Sequence, residues 1–279
     1  MAVELAPLYD LLACPACGTS PRPGMSSCGG CGRLIRTPEG GLDLLDDESR
    51  PTADAFAERY RALRLSEGWV DPTGQAPASG RPELWGRLRS ASRAAAIMAR
   101  EWPNPAGRVV ADIGSGTGWT HPLFAGLGVI AFDIVSTMPT DNALTVRADM
   151  RRLPLRDSTV EAAFFSASIH YVPLAEAVGE AARVLRHDGL LLVVDSPIYA
   201  DDGSRARAAS RSAAYYAAAG HPELAAGYHP ASIAELTSVV AGSGFELVGL
   251  RTEGRVEKLW RRVVGRPPSS LAVGRRVRV

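Results

Sequence analysis

The sequence of 279 residues is poor in several residue types, and each shortage narrows what the protein can be. Lys258 is the only lysine, so the 31 basic residues are almost all arginine, and 30 acidic residues balance them. A net charge of +1 gives no overall field to attract nucleic acid or an anionic membrane. No stretch approaches the roughly 18 uninterrupted apolar residues of a membrane span. These shortages predict a soluble protein that does not contact a membrane.

The N-terminus also lacks the features of a secretory signal. It reads "MAVELAPLYDLLACP", with acidic residues where a signal peptide carries positive charge. We therefore expect a cytoplasmic location, in which thiols stay reduced.

Cysteine is scarce, and all of it lies near the N-terminus. Two C-x-x-C pairs, each followed by glycine, have ten residues between them. Tight turns of this kind direct two thiolates at one ion, and two turns complete a closed tetrahedral site. Two disulfides or a redox centre are alternatives, but a reducing compartment disfavours disulfides and a redox centre needs only one pair. The spacing predicts a structural zinc ion held by Cys14, Cys17, Cys28 and Cys31.

The cysteine-containing segment resembles a known family. The run from "LLACPACG" through "CGGCGRLIRTPEGGLDLLDDESR" is similar to the small zinc-ribbon proteins that activate tRNA, rRNA and protein methyltransferases. Those proteins end their ribbon in "dGIPxLL", whereas Leu42 and Asp43 stand here at the apolar-proline step. We expect a zinc ribbon over residues 1–46, whose last strand packs differently from the family pattern.

The chain beyond the ribbon predicts a connecting region and then a larger domain. Residues 50–68 have mixed apolar and charged positions at helical spacing, and residues 71–83 are rich in Pro, Gly, Ala and Ser. The stretch "LWGRLRSASRAAAIMAREW" has helical composition and ends at "PNPAG". We predict a helical segment and linker over residues 47–84 and a second domain over residues 85–279.

The segment "GRVVADIGSGTGWTHPLFAGLGVIAFDIVS" predicts a nucleotide-binding unit. A strand over residues 109–113 leads into a glycine loop, a helix over about residues 119–126, and a second strand that ends at Asp133. Glycine lets the backbone approach a ligand, and an acid after the second strand can accept hydrogen bonds from a ribose. A dinucleotide-binding G-x-G-x-x-G would need glycine at position 119, which is Trp119.

The loop "DIGSGTG" instead resembles the first motif of class I S-adenosylmethionine-dependent methyltransferases of the type 11 kind. The stretch "RADMRRLPLRDSTVEAAFFSASIHYVPLAEAVGEAARVLRHDGLLLVVDSP" follows that family's later motifs in order. The resemblance spans about residues 85–255. It implies an α/β fold with a Rossmann-like sheet of seven strands, helices on both faces, and "SSLAVGRRVRV" as the final strand.

The resemblance also implies where the cofactor binds. The methionine end would be lined by Asp112, Gly114, Gly116 and Gly118, and the ribose hydroxyls would be held by Asp133. The adenine would contact Ile134, Asp149 and the Met150 backbone, and Ser166 would lie next to the sulfonium. A plain turn is the alternative for the glycine loop and Asp133. Asp149 could instead cap the turn that follows it.

Methyl transfer itself asks little of side chains, because a sulfonium methyl is already activated and needs mainly alignment and exclusion of water. His170 stands at the first histidine of the family's "LHHV" pattern and is the candidate base, with shaping of the pocket as the alternative. Residues 197–227 form an insertion that we predict to be a lid over the site. The candidate substrate contacts are Tyr171, Tyr215, Tyr216, Tyr228 and His229. Tyr215 and Tyr216 could instead pack the lid helix, and Tyr228 and His229 could instead form a turn into the next helix.

The predicted function is methyl transfer from S-adenosylmethionine to an oxygen, nitrogen or carbon of a small metabolite, such as one of specialised metabolism. An RNA base methyltransferase that uses the ribbon for recognition is an alternative. Near-neutral charge and "SASIHY" in place of an "NPPY"-like motif count against it. A noncatalytic scaffold is a third hypothesis, which the intact glycine loop disfavours. The sequence leaves the acceptor atom and the oligomeric state open.

Overall fold

Short apolar strands flanked by glycine and polar loops assemble into one mixed sheet. The computed structural model describes residues 4–38, 41–73, 82–135, 140, 142–252 and 270–277, with residues 82–85 and 252 described through their backbone only. The strands are β1 (Leu42–Asp43), β2 (Val109–Ile113), β3 (Gly128–Asp133), β4 (Leu144–Arg147), β5 (Val160–Ser166), β6 (Leu185–Val194), β7 (Ile198–Tyr199), β8 (Ala231–Ser232), β9 (Phe245–Thr252) and β10 (Ser270–Arg276). The helices are α1 (Arg50–Ser66), α2 (Pro82–Glu101), α3 (Leu174–Val184), α4 (Asp202–Ala218) and α5 (Ile233–Gly242).

The main sheet has the strand order β1-β4-β3-β2-β5-β6-β10-β9, and β7 and β8 form a separate short pair. The strands from β1 to β6 in this order run parallel, whereas β10 is antiparallel to both β6 and β9. Strands β2, β3 and β5 are buried over nearly their whole length, as parallel strands covered on both faces must be. Helices α3 and α5 pack with one face of the sheet and α2 packs with the other.

The two helices predicted before the sheet and the final strand are confirmed as α1, α2 and β10. The helix predicted over about residues 119–126 is wrong. That segment holds only a 3-10 turn, His121–Leu123, and Gly126 then adopts a φ of 81° that ends it. The chain therefore passes from the glycine loop to β3 without an intervening α-helix.

The sheet has eight strands where seven were predicted, because the ribbon adds β1 beside β4. Leu42 aligns with Val146 and Asp43 with Arg147. The backbone N–H of Asp43 donates to Arg36 O at 2.8 Å, and that of Leu44 to Arg147 O at 3.0 Å. Proline has no N–H to donate, so the family's proline would lose one of these bonds. A proline at position 43 would remove the bond to Arg36, whereas the bond that joins this strand to β4 comes from the Leu44 N–H.

The ribbon also packs against the sheet along its other segments. Leu12 bridges to Leu155, and the Ala13 N–H donates to Pro154 O at 2.9 Å. The buried side chains of Leu8, Leu12 and Ile35 belong to the same apolar cluster as β4 and β5. Residues 1–46 remain a prediction as a folding unit, but their apolar side chains lie in the core of the larger domain.

The predicted lid region, residues 197–227, contains β7, α4 and a 3-10 helix, Pro222–Gly227. The Asp201 side chain caps α4 by accepting a hydrogen bond from the Ser204 N–H. No helix in the described part of the chain is long and apolar enough to cross a membrane.

Candidate functional site

The glycine loop after β2 requires glycine at the positions that the sequence singles out. Gly114, Gly116 and Gly118 have φ values of 72°, 55° and 72°, which side chains rarely adopt. A Cβ at Gly114 would lie 2.3 Å from the Ser168 Cβ, and a Cβ at Gly118 would lie 2.7 Å from the His121 Cε1. Gly114 and Gly118 thus have no room for a side chain, whereas the space at Gly116 is open and only its φ favours glycine.

Asp133, at the end of β3, faces this loop. Its Oδ2 accepts the Gly116 N–H at 2.8 Å, and its Oδ1 accepts the Val135 N–H at 2.8 Å. Burial raises the pKa of the Asp133 carboxyl, and the two backbone hydrogen bonds oppose that rise. The carboxylate is therefore fixed in orientation beside the loop, as binding of a ribose diol requires.

Asp112, the acid that precedes the loop, has a different setting. It is fully buried, and its Oδ2 accepts the Thr120 hydroxyl at 2.6 Å and lies 3.4 Å from the His121 Nε2. His121 in turn contacts the Thr140 hydroxyl through Nδ1 at 2.8 Å. Asp112 thus holds the turn that replaces the predicted helix, and this anchoring role was not foreseen.

Two neighbouring cavities of about 360 Å³ and 300 Å³ open at this edge of the sheet. Both are lined by Phe56, Gly114, Asp133, Ile134, Met150 and Tyr171. The larger, which we call the adenine-side cavity, continues along residues 148–151 and the 3-10 helix Pro222–Gly227. The smaller, which we call the loop-side cavity, continues along the glycine loop and residues 166–168. The predicted cofactor residues line one or both of these cavities, except Gly118, which lines neither.

Asp149 lies in the adenine-side cavity, where it is held by a neighbour. Arg151 Nε lies 3.0 Å from each oxygen of Asp149, and Arg151 Nη2 donates to Oδ2 at 2.5 Å. The Arg151 N–H also donates to Oδ1 at 2.9 Å, which is the turn cap that the sequence offered as an alternative. Asp149 makes these contacts beside Ile134 and Met150, which line the same cavity.

His170 does not line either cavity. Its ring lies 4.4 Å from that of Tyr171 and 5.5 Å from that of Tyr228, between centroids. Burial, aided by the charges of Arg87 and Arg64, lowers the pKa of His170 to about 3. Such an imidazole is neutral and a poor base at neutral pH. The structure thus favours the alternative that His170 shapes the site from behind Tyr171.

The other predicted substrate residues divide into two groups. Tyr171 lines both cavities and His229 lines the adenine-side cavity. Tyr215 and Tyr216, on α4, line neither. Tyr216 is buried with Leu63 and Leu224, and the Tyr215 hydroxyl donates to Glu67. Tyr228 packs on His170, and burial raises its pKa. For Tyr215 and Tyr216, the packing alternative agrees better with their contacts, and Tyr228 also packs instead of lining a cavity.

Helix α1 supplies site residues that sequence reasoning missed. Phe56 and Tyr60 stack with centroids 5.5 Å apart, and the Tyr60 and Tyr171 hydroxyls lie 3.1 Å apart. Arg64 donates to the Tyr171 hydroxyl at 3.1 Å and lies 4.6 Å from the Tyr60 ring centre. The signal was present in the sequence, because positions 56, 60 and 64 recur every four residues and share one helix face. The linker interpretation of residues 47–84 hid it.

The four cysteines of the ribbon form a compact cluster of thiols. The Sγ atoms of all four lie within 4.8 Å of one another, with Cys14 to Cys31 at 3.8 Å and Cys17 to Cys28 at 3.5 Å. Tetrahedral zinc with bonds of about 2.3 Å places its sulfurs about 3.8 Å apart. The two turns match: the Gly18 N–H donates to Cys14 O and the Gly32 N–H to Cys28 O. This donor set fits a closed zinc site.

Comparison with known proteins agrees with the fold and the loop. Residues 111–193 match the family described as a methyltransferase domain. The chain is 37% identical over 107 residues to uncharacterized methyltransferases of Mycobacterium tuberculosis and Mycobacterium bovis. The aligned part is 34% of this chain and 43% of each relative, so the match spans under half of their length.

Crystal structures extend the likeness over most of the chain. A geranyl diphosphate methyltransferase in complex with GPP and sinefungin has a TM-score of 0.54 at 16% identity, covering 81% of this chain and 100% of its own. The Streptomyces coelicolor A3(2) geranyl diphosphate C-methyltransferase has a TM-score of 0.51 at 14% identity, covering 81% and 99%. The [4+2]-cyclase SpnF has a TM-score of 0.52 at 14% identity, covering 81% and 94%.

The strand order and the glycine loop therefore define a Rossmann-like methyltransferase fold, with a four-cysteine cluster at its N-terminus. Within it, residues 111–193 match the methyltransferase domain family. A cyclase shares the fold, so the reaction has to be argued from the site.

Proposed function

We propose that this protein transfers the methyl group of S-adenosylmethionine to a small molecule. The observation that carries the proposal is the fixed Asp133 carboxylate beside the glycine loop, at the mouth of two cavities. The cofactor supplies a methyl group that is already activated by the sulfonium. The protein binds the cofactor and the acceptor, aligns the acceptor atom with the methyl group, and excludes water.

Each predicted cofactor residue has a distinct task in this proposal. Asp133 accepts the ribose hydroxyls, Ile134 and Met150 lie against the adenine, and Asp149 accepts the adenine amino group. The glycine loop lets the methionine part approach the backbone. Ser166, whose buried hydroxyl has no partner among the described residues, lies beside the reacting centre. The scheme assigns no side chain as a base, because burial lowers the pKa of His170 to about 3 and its ring lies outside both cavities, so a proton lost by the acceptor passes to solvent.

A small acceptor is supported by the enclosure of the site. Helix α1 and the 3-10 helix Pro222–Gly227 line the adenine-side cavity, and Arg59 pairs there with Glu223 at 2.6 Å. Two structural neighbours are named as methyltransferases of geranyl diphosphate, which is itself a small acceptor. RNA binding needs an open basic surface, whereas the adenine-side cavity is lined mainly by apolar side chains.

The proposal extends to the ribbon, which we infer binds one structural zinc ion through all four cysteines. Saturated by thiolates, the ion has no position for water or substrate, so it takes no part in the chemistry. Reduced thiols fit a cytoplasmic location.

Calorimetry with S-adenosylhomocysteine and NAD tests the proposed function. We expect binding of S-adenosylhomocysteine in preference to NAD, and Asp133→Ala should weaken it by about 1.5–3 kcal/mol through loss of charge-assisted hydrogen bonds. Asp157→Ala is the matched control, because that aspartate is exposed and pairs with Arg183 away from both cavities. Equal affinity of wild type and Asp133→Ala would remove Asp133 from the site. Cofactor binding without turnover on any small acceptor or RNA would favour the scaffold hypothesis.

A further inference from the structure

Arginines without a predicted cofactor role line the loop-side cavity, beside the carboxylates of Asp71, Asp112 and Asp133. Arg64 on α1 and Arg87 on α2 both line it, together with residues 166–168. Both guanidinium charges contribute to the lowered pKa of His170, which follows Ser168 by two residues. The two arginines therefore lie near the carboxyl end of β5, where the acceptor is expected in the proposed reaction.

The two arginines differ in how their charge is neutralised. Arg64 pairs with Glu67 at 2.6 Å and donates to the Tyr171 hydroxyl, so both its charge and its direction are fixed. Arg87 lies over the face of Trp69, with its Cζ 4.8 Å from the ring centre. Among the residues that the structure describes, no carboxylate forms an ion pair with Arg87. A guanidinium stacked on an aromatic ring keeps its hydrogen-bonding edge free for an oxyanion.

Unused hydroxyl groups line the same cavity. The Ser115 and Ser166 hydroxyls are buried, line the loop-side cavity and have no hydrogen-bond partner within the described ranges. Buried polar groups are nearly always satisfied, so such groups in a cavity indicate a ligand with polar atoms. A hydroxyl donor and a planar guanidinium together suit a carboxylate or phosphate group.

We propose that the methyl acceptor carries a carboxylate or phosphate group, and that Arg87 binds this group in the loop-side cavity. The proposal rests on the proposed methyltransferase function, which it makes more specific. Tyr60 and Tyr171 would provide an aromatic wall for the rest of the acceptor. Arg64, already engaged, would hold Tyr171 in place.

The first part of the test uses simple anions as probes. Pyrophosphate and benzoate are titrated into the full-length protein saturated with S-adenosylhomocysteine, and into its Arg87→Gln, Arg87→Lys and Arg89→Gln variants. We expect at least one anion to bind wild type, Arg87→Gln to weaken that binding about tenfold or more, and Arg87→Lys to restore part of it. Arg89→Gln, an exposed position on the same helix that does not line the cavity, should bind as wild type does.

The second part separates an acceptor anion from the cofactor's own carboxylate. Wild type and Arg87→Gln are titrated with S-adenosylhomocysteine and with 5′-methylthioadenosine, which lacks the amino-acid carboxylate. We expect Arg87→Gln to leave both affinities unchanged. If it weakens only S-adenosylhomocysteine, the anion is the cofactor's carboxylate and the proposal is overturned. Failure of both anions to bind wild type overturns it as well, whereas failure of S-adenosylhomocysteine to bind at all would refute the proposed function itself.

Discussion

At the scale of single residues, Arg147 connects three parts of the chain next to the site. Its Nε donates to Ile134 O at 2.9 Å, its Nη2 to Asp54 on α1 at 2.5 Å, and its Nη1 to Asp43 on β1 at 3.4 Å. Asp43 also receives two hydrogen bonds from Arg50, at 2.7 and 2.9 Å. Burial alone would raise the pKa of Asp43, but its partners, Arg50 above all, lower it below its usual value.

We predict that Arg147→Met weakens cofactor binding, because the Ile134 carbonyl and helix α1 lose the group that ties them together. The loss of one such hydrogen bond predicts roughly a fivefold drop in affinity for S-adenosylhomocysteine, measured by calorimetry. Arg152→Met, at a neighbouring exposed position, is the control. An unchanged affinity in a destabilised Arg147→Met protein would show that Arg147 supports only the fold.

His170 predicts how stability depends on pH. Its folded pKa of about 3 lies below the ordinary value of 6.5, so the unfolded chain binds the proton more readily. Stability is therefore lost as pH falls below about 6.5. Between pH 7 and pH 5 we expect the proton uptake of His170 to lower the free energy of unfolding by about 2 kcal/mol. The His170→Gln variant should not show this loss. Urea unfolding of both proteins at the two pH values measures it, and parallel losses would mean that His170 is not neutral when folded.

At the scale of elements, the ribbon and α1 are the parts that the sequence predicted least well. The sequence predicts the glycine loop, Asp133 and the cysteine turns, because each depends only on residues that are close in sequence. That α1 lines the cavities, and that β1 pairs with β4, could not be read, because helical spacing or a short strand does not say which surface it will meet. The missing helix after the loop shows the same limit, since Asp112 stabilises the turn through Thr120 and His121.

These contacts change what we expect from loss of zinc. If the ribbon were an independent unit, Cys28→Ser would unfold residues 1–46 alone and leave cofactor binding intact. Cys28 is buried in the cluster that contains Leu12 and Val146, so we predict that the variant loses zinc and also loosens β4. Elemental analysis and hydrogen exchange of residues 144–147 measure the two effects, with Ser26→Ala as the control. If the ribbon unfolds while hydrogen exchange in β4 stays unchanged, the ribbon and the larger domain are two separate units and this prediction is wrong.

At the scale of the whole molecule, the predicted α/β fold holds and its additions lie at the periphery. The sheet order and the antiparallel β10 follow the class that the motifs predict. The eighth strand, the covering helix α1 and the shared core with the ribbon come from contacts distant in sequence, at separations of about 100 residues for β1 and β4. Local sequence patterns therefore predict the motif residues of such a protein better than they predict the elements that cover its site.

The position of β1 at the edge of the sheet has a consequence for how the protein avoids self-association. A strand such as β4, buried at three of its four residues, presents a row of unpaired backbone groups if its outer neighbour is missing. Those groups are a template for pairing with another chain. β1 covers part of that row through the Leu42 and Asp43 pairings, and the ion pairs of Asp43 with Arg50 and Arg147 fasten it there. By covering this row, β1 would limit the pairing of β4 with another chain.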